Sequence, residues 1–159
     1  MNGFLIVLTL LTLVLIHPER QKIMAASLNT IIPVKATDFI LREGIEGRMF
    51  NTYHYGGYLI YRLHPRQLVY LDPRTPVYGD AFIKDALAIY QGSSDWKSRF
   101  DRYDIEYVIC ESESPLRQLL LLEGTFRLVF DDGMHSVLVR DIEKYHPIIR
   151  RYEGKPAHG

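Results

Sequence analysis

The stretch that most constrains the fold is RMFNTYHYGGYLIYRL at residues 48–63, followed by QLVYLDPR at residues 67–74. Residues 48–51 form a short half-apolar run suited to a strand. Gly56 and Gly57 lack a Cβ and allow a tight turn. Tyr58, Leu59, Arg62 and Leu63 then fall at helical spacing, with the apolar members on one face. His64 and Pro65 end that helix, because proline has no N–H and disfavours helical geometry in the residue before it. Residues 67–71 read as a second strand. Two parallel strands joined by a helix make a right-handed crossover, and functional residues of such units gather beyond the carboxyl ends of the strands. Those ends are residues 51–55 and 72–78. The candidate binding residues are therefore Asn51, Tyr53, Tyr55, Gly56, Gly57, Asp72, Arg74 and Tyr78.

Two of these features each have two readings. Asp72 and Arg74 can pair and fix their loop, or the arginine can clamp a carboxylate or phosphate with two hydrogen bonds. The two glycines can place a helix N-terminus against a phosphate, or they can let strand and helix pack closely. Neither GxGxxG nor GxxxxGK[ST] is present to favour the first.

The remaining punctuation is regular. Pro33 suits the first turn of a helix with Val34, Ala36, Thr37, Ile40 and Leu41 on one face, ended by Gly44. Pro76 and Gly79 mark a loop. Asp80 caps a helix to about Gln91, with Phe82, Ile83, Ala86, Leu87 and Tyr90 on one face. Asp95 caps a short helix over residues 96–103. Residues 105–110 read as a strand, and Pro115 starts a helix that Gly124 ends. Residues 126–130 and 136–139 flank Asp131, Asp132, Gly133 and Met134, and Asp-Gly between alternating runs is a hairpin signal. Residues 142–159 turn polar and read as a loose tail. The order predicts an α/β class: a small three-layer domain with a mixed, partly parallel sheet and a C-terminal β-hairpin, preceded by an N-terminal transmembrane helix.

The run from Gly47 to Leu63 resembles the pattern GRxFNxYxxGGYLIWxL. That pattern belongs to the soluble C-terminal domain of certain polytopic bacterial membrane proteins. These are glycosyltransferase-like proteins of the GT-C type, in the dolichyl-phosphate-mannose mannosyltransferase superfamily. In that pattern an Asp-Gly-Arg follows, and later a tryptophan stands before a Leu-Asp-x-Tyr-x-Ile/Val strand. This chain has Tyr61 for the usual tryptophan and Pro73 for the usual glycine, and it keeps Asp72, Arg74, Trp96 and a run from Phe100 to Val108. The similarity spans residues 33–140. It implies an extracytoplasmic accessory domain that supports sugar transfer from a polyprenyl-phosphate donor but is not catalytic alone, since the family's catalytic acids lie in a membrane loop absent here. It implies a cell-membrane location, with a polyprenyl-phosphate sugar or a glycan acceptor as partner. The alternative is a membrane-anchored or secreted module that binds a cell-envelope glycan or a protein.

The N-terminus bears on that choice. Residues 4–16, FLIVLTLLTLVLI, carry no charge. As a helix they reach about 20 Å, against roughly 30 Å of bilayer hydrocarbon. No lysine or arginine precedes the run, and no prompt small-x-small site follows it, both of which a signal peptide would show. A truncated last span, a signal or anchor, and a buried core helix remain open, and the resemblance favours the first. Residues 1–17 are then the transmembrane helix, with membrane lipid as a partner through residues 4–16. Residues 18–32 are a connector, 33–141 the extracytoplasmic domain and 142–159 the tail. Arg20 and Lys22 vote for a cytoplasmic flank, against the family.

Other chemistry finds little support. With 19 basic and 19 acidic residues the formal charge is zero, which argues against nucleic acid as a partner. Cys110 is the one cysteine and sits in an apolar run, so it reads as a core thiol. None of the six histidines makes an HxxxH or HExxH pair, and no metal is expected. No GxSxG elbow is present. No catalytic residue and no cofactor are assigned. Eleven tyrosines read as amphipathic rings of core and surface.

Overall fold

The computed structural model describes residues 30–157, and a compact unit begins at Pro33. Its elements are α1 (Val34–Glu43), β1 (Met49–Asn51), α2 (Gly56–Leu63), α3 (Asp80–Gln91), α4 (Trp96–Asp101), β2 (Tyr107–Glu111), α5 (Pro115–Glu123), β3 (Phe126–Asp131), β4 (His135–Arg140) and α6 (His146–Tyr152). Short 3-10 turns fall at Tyr53–Tyr55, Thr75–Val77 and Glu143–Tyr145. Residues 1–17, the expected transmembrane helix, lie outside the described residues. Among the described residues no helix is long and apolar enough to cross a membrane.

The sheet order is β1-β2-β4-β3. β1 runs parallel to β2, with Asn51 opposite Ile109. β2 and β4 are antiparallel, and β3 and β4 form the expected hairpin, bulged between Leu128 and Phe130. Alternation along each strand sends side chains to two faces. Tyr107, Ile109, Val137 and Val139 meet Ala36, Phe39 and Ile40 of α1 and Leu59 and Leu63 of α2. Val108, Cys110 and Leu138 meet Ile89 of α3, Trp96 and Phe100 of α4, and Leu116 and Leu120 of α5. Helices on both faces of a mixed sheet are the three layers that the sequence predicts.

Three expectations need correction. Residues 67–71 are not a strand, and β1 takes β2 as its parallel neighbour instead. A side chain replaces the missing ladder, since Asn51 bonds the backbone of that segment. Gly56 and Gly57 do not form a tight turn before the helix, because Gly56 has φ −53 and ψ −44 and both residues open α2. The run after Asp141 is not loose. α6 lays Ile148, Ile149 and Tyr152 on the first core, and the Tyr152 hydroxyl donates to Glu43 at 2.8 Å. The backbone of Ala157 then bonds to Val129 and Asp131 at 3.0 and 2.9 Å. Polar composition hid this docking, because the anchors are few and spaced by charges.

Helix limits otherwise follow the punctuation. α1 ends at Gly44 with φ +65, a conformation that favours glycine. Its anchor is the fully buried Phe39, while Leu41 is exposed. Ser114 caps α5 by accepting from the Arg117 N–H at 3.3 Å. Asp80 is the first residue of α3 rather than its cap, which is Gly79.

Candidate functional site

The conspicuous motif is a connected piece of scaffold. Asn51 is 1% exposed at the carboxyl end of β1. Its Nδ2 donates to the Leu71 carbonyl at 2.7 Å, and its Oδ1 accepts from the Tyr70 N–H at 2.8 Å. One side chain thereby gives residues 70–71 the hydrogen bonds that a neighbouring strand would have given. Gly56 lies against the same segment. A Cβ there would stand 2.2 Å from the Leu71 oxygen and 2.5 Å from Asp72 Cα, whereas one on Gly57 would meet nothing within 4 Å. The Gly56 N–H donates to the Tyr53 carbonyl, so it does not point at a ligand.

Asp72 follows directly and is 1% exposed. It accepts from the Arg74 N–H at 2.9 Å, from Arg74 Nε at 2.8 Å, from Arg74 Nη2 at 2.8 Å, and from the Tyr78 hydroxyl. The Arg74 guanidinium, with help from Tyr78, holds this carboxyl well below the ordinary carboxylate range despite its burial. Asp72 and Arg74 therefore pair with each other and fix the loop. Tyr78 stacks on Phe82 of α3 at 5.4 Å, and Tyr70 contacts Phe50, Phe82 and Tyr103 at 4.8, 4.8 and 5.2 Å. Five tyrosines and phenylalanines thus tie a strandless segment to the sheet and to α3.

The candidate residues fall on two hollows, one lined by Leu71 and the other by Asp72. The first is a cavity of about 320 Å³ whose walls include Phe50, Leu71, Ile83, Ala86, Leu87 and Tyr90. Asn51, Thr52, Tyr53 and His54 close its other end. The second is a cleft of about 470 Å³ that takes in Ile60, His64, Leu68, Asp72, Arg74 and Tyr78. Of the sequence candidates, Asn51 and Tyr53 therefore face the first, and Asp72, Arg74 and Tyr78 the second. Tyr55 faces neither. It is fully buried in the first core, edge-on to His135 at 5.5 Å.

The first cavity sits at the carboxyl ends of the parallel strands β1 and β2, where such folds place ligands. Behind its polar end stands Glu111, the last residue of β2. Thr52 Oγ1 donates to Glu111 Oε2 at 2.9 Å, and His54 Nε2 lies 3.1 Å from Oε1. Burial first, and then the Glu111 carboxylate, push the Tyr90 hydroxyl up to about 12. The same two causes push Tyr55 up as well. Glu111 and Tyr90 were missed in the sequence. Glu111 belongs to no motif, and Tyr90 reads as one more apolar helix position. The only usable signal was that Glu111 ends an otherwise apolar strand. Among the described residues, no three His, Cys, Asp or Glu side chains are grouped to hold a metal ion.

No protein-family model matches the chain, and no curated protein matches it. A solved structure similar to it is the C-terminal globular domain of oligosaccharyltransferase from Archaeoglobus fulgidus. The TM-score is 0.48 at 13% sequence identity, covering 67% of this chain and 95% of that one.

Proposed function

We propose that this chain is an extracytoplasmic accessory domain of a glycosyltransferase-like membrane protein, and that it binds rather than catalyses. The observation that carries this reading is how the motif uses its charges. Asp72 closes on Arg74 and Tyr78, and an apolar cavity lies beyond Leu71 at the end of β1. That geometry suits holding the apolar part of a ligand against Phe50, Ile83 and Leu87, with Thr52, His54 and Tyr90 toward its polar end. Asp72 and Arg74, each closed on the other, present no free acid or base to a reacting bond. The motif at residues 47–74 supports the family, and with it a polyprenyl-phosphate sugar or a glycan acceptor as the molecule held.

The test has two parts. Leu87 is half-exposed on the cavity wall, so Leu87→Trp plugs the cavity without entering the core. In the native cell this variant is expected to lower the envelope glycan made by the parent system while the protein accumulates normally. Unchanged glycan sinks the reading. An antibody to the C-terminal residues then distinguishes a large membrane product, cut by protease added outside the cytoplasmic membrane, from a product near 18.5 kDa. The small product would favour the separately anchored binding module.

A further inference from the structure

The second cleft has no part in that reading, and its surroundings are unusual. Tyr61 is 82% exposed on α2, and Leu68 is 79% exposed on the strandless segment that follows. Ile60, Leu68 and Val69 give the cleft an apolar wall, and its polar lining includes His64, Asp72, Arg74 and Tyr78. The Arg74 side chain is 70% exposed, and His64 and Arg66 are exposed beside it. Two carboxylates beside it are already paired. Asp72 is held by Arg74, and Asp38 lies 2.5 Å from Arg62. Arg66 therefore adds a positive charge to this face in a chain whose formal charge is zero.

We propose that this face, centred on Tyr61, Arg66, Leu68 and Arg74, docks on a bilayer containing anionic lipid. The proposal rests on the membrane tether of the reading above. Exposed tyrosine and leucine beside arginine is the composition of a bilayer interface, where rings and aliphatic groups enter at headgroup depth and long cationic side chains reach phosphate. The Arg66 charge complements an anionic headgroup layer. The connector between Ile16 and Pro33 is 16 residues long, so it reaches no more than about 58 Å fully extended. A tethered domain meets the surface at high effective concentration, and a weak patch suffices to orient it. Docking by this face fixes which way the first cavity points.

The test uses the full chain. Cys110 is fully buried, so Leu68→Cys gives a single accessible thiol for an environment-sensitive fluorophore. Leu122→Cys, at a position 83% exposed on α5 across the sheet, is the control. Each labelled chain is reconstituted into phosphatidylcholine vesicles with brominated acyl chains, with and without phosphatidylglycerol. The expected result is strong quenching at position 68 that requires phosphatidylglycerol and weakens with salt, and little at position 122. Arg66→Gln lowers the docking equilibrium constant by about fivefold. A chain that floats with the vesicles while both positions are quenched equally, or neither is, overturns docking and leaves the tether standing. A chain that does not float overturns both.

Discussion

Gly56→Ala sets two effects of opposite sign against each other. Alanine favours a helix over glycine by up to about 1 kcal/mol, less in the first turn. At Gly56, however, the new methyl would stand 2.2 Å from the Leu71 carbonyl oxygen and 2.5 Å from Asp72 Cα, which are backbone atoms. Ordinary C···O approach is about 3.3 Å, so the loop must retreat by about 1 Å. That motion pulls the Leu71 oxygen away from Asn51 Nδ2, now at 2.7 Å, and disturbs the four hydrogen bonds that Asp72 accepts. Overpacking costs about 1–3 kcal/mol, and each buried hydrogen bond lost adds about 1 kcal/mol. The expected net loss is about 2–4 kcal/mol. Gly57→Ala is the control, with nothing within 4 Å of its added Cβ, and is expected to stabilise by about 0.5 kcal/mol. Equilibrium urea unfolding followed by the buried Trp96 measures both. With a slope of about 2 kcal/mol per molar, the midpoint falls by about 1–2 M for the first variant and rises slightly for the second. A Gly56→Ala chain as stable as the parent would refute the claim that close approach of α2 to the loop holds this region.

Three further outcomes follow from the same contacts. Asn51→Ala leaves the Tyr70 N–H and Leu71 carbonyl without their partner and is expected to cost about 2–4 kcal/mol; hydrogen exchange at Tyr70 should rise more than at Val108, and equal change would contradict the strand-replacing role. Asp72 has a carboxyl held below its ordinary value of 3.8, so its stabilisation is fully present above that value and is lost as pH falls below it. Asp72→Asn should therefore lower stability at neutral pH and flatten its dependence below about pH 4, as read from urea midpoints. Burial pushes the Cys110 thiol up to about 12, so a thiol reagent should label it only at the rate of unfolding; prompt labelling of the native chain at mildly alkaline pH would show that the strand opens locally.

How far the sequence could be read varies with the kind of signal. Elements whose limits are set by local chemistry were legible: Gly44 and Gly124 end α1 and α5 in the left-handed region, and Asp132 and Gly133 turn the hairpin. Residues 67–71 misled, because a run of Leu, Val, Tyr and Leu has the composition of a strand. Pairing is decided by what lies alongside, and Asn51 had already taken those backbone groups. Periodicity gave the helical faces only approximately. Leu41 counted as buried by spacing, but Phe39 holds that place because it meets Phe130 at 5.0 Å and Tyr152 at 5.2 Å. Asn51 does end a strand, but Asp72, Arg74 and Tyr78 follow a segment that is not one. Their separation into two hollows left no mark in residue type.

That separation changes what the motif means. Asn51, Gly56, Asp72, Arg74 and Tyr78 look in sequence like a binding constellation, because polar groups near strand ends usually face a ligand. In the fold each is used on another: the amide on the Leu71 carbonyl, the missing Cβ on the same peptide, the carboxylate on the arginine and the phenol. Asn51 also lines the first hollow, and Asp72, Arg74 and Tyr78 the second, beside Leu87 and Tyr90 on one side and Ile60 and Leu68 on the other. A chain that kept the motif's mutual contacts while changing those neighbours would keep the fold and alter what it holds. Exchanging Leu87 or Tyr90 should therefore change ligand preference at little cost to stability. Exchanging Asn51 or Gly56 should cost stability whichever ligand is offered.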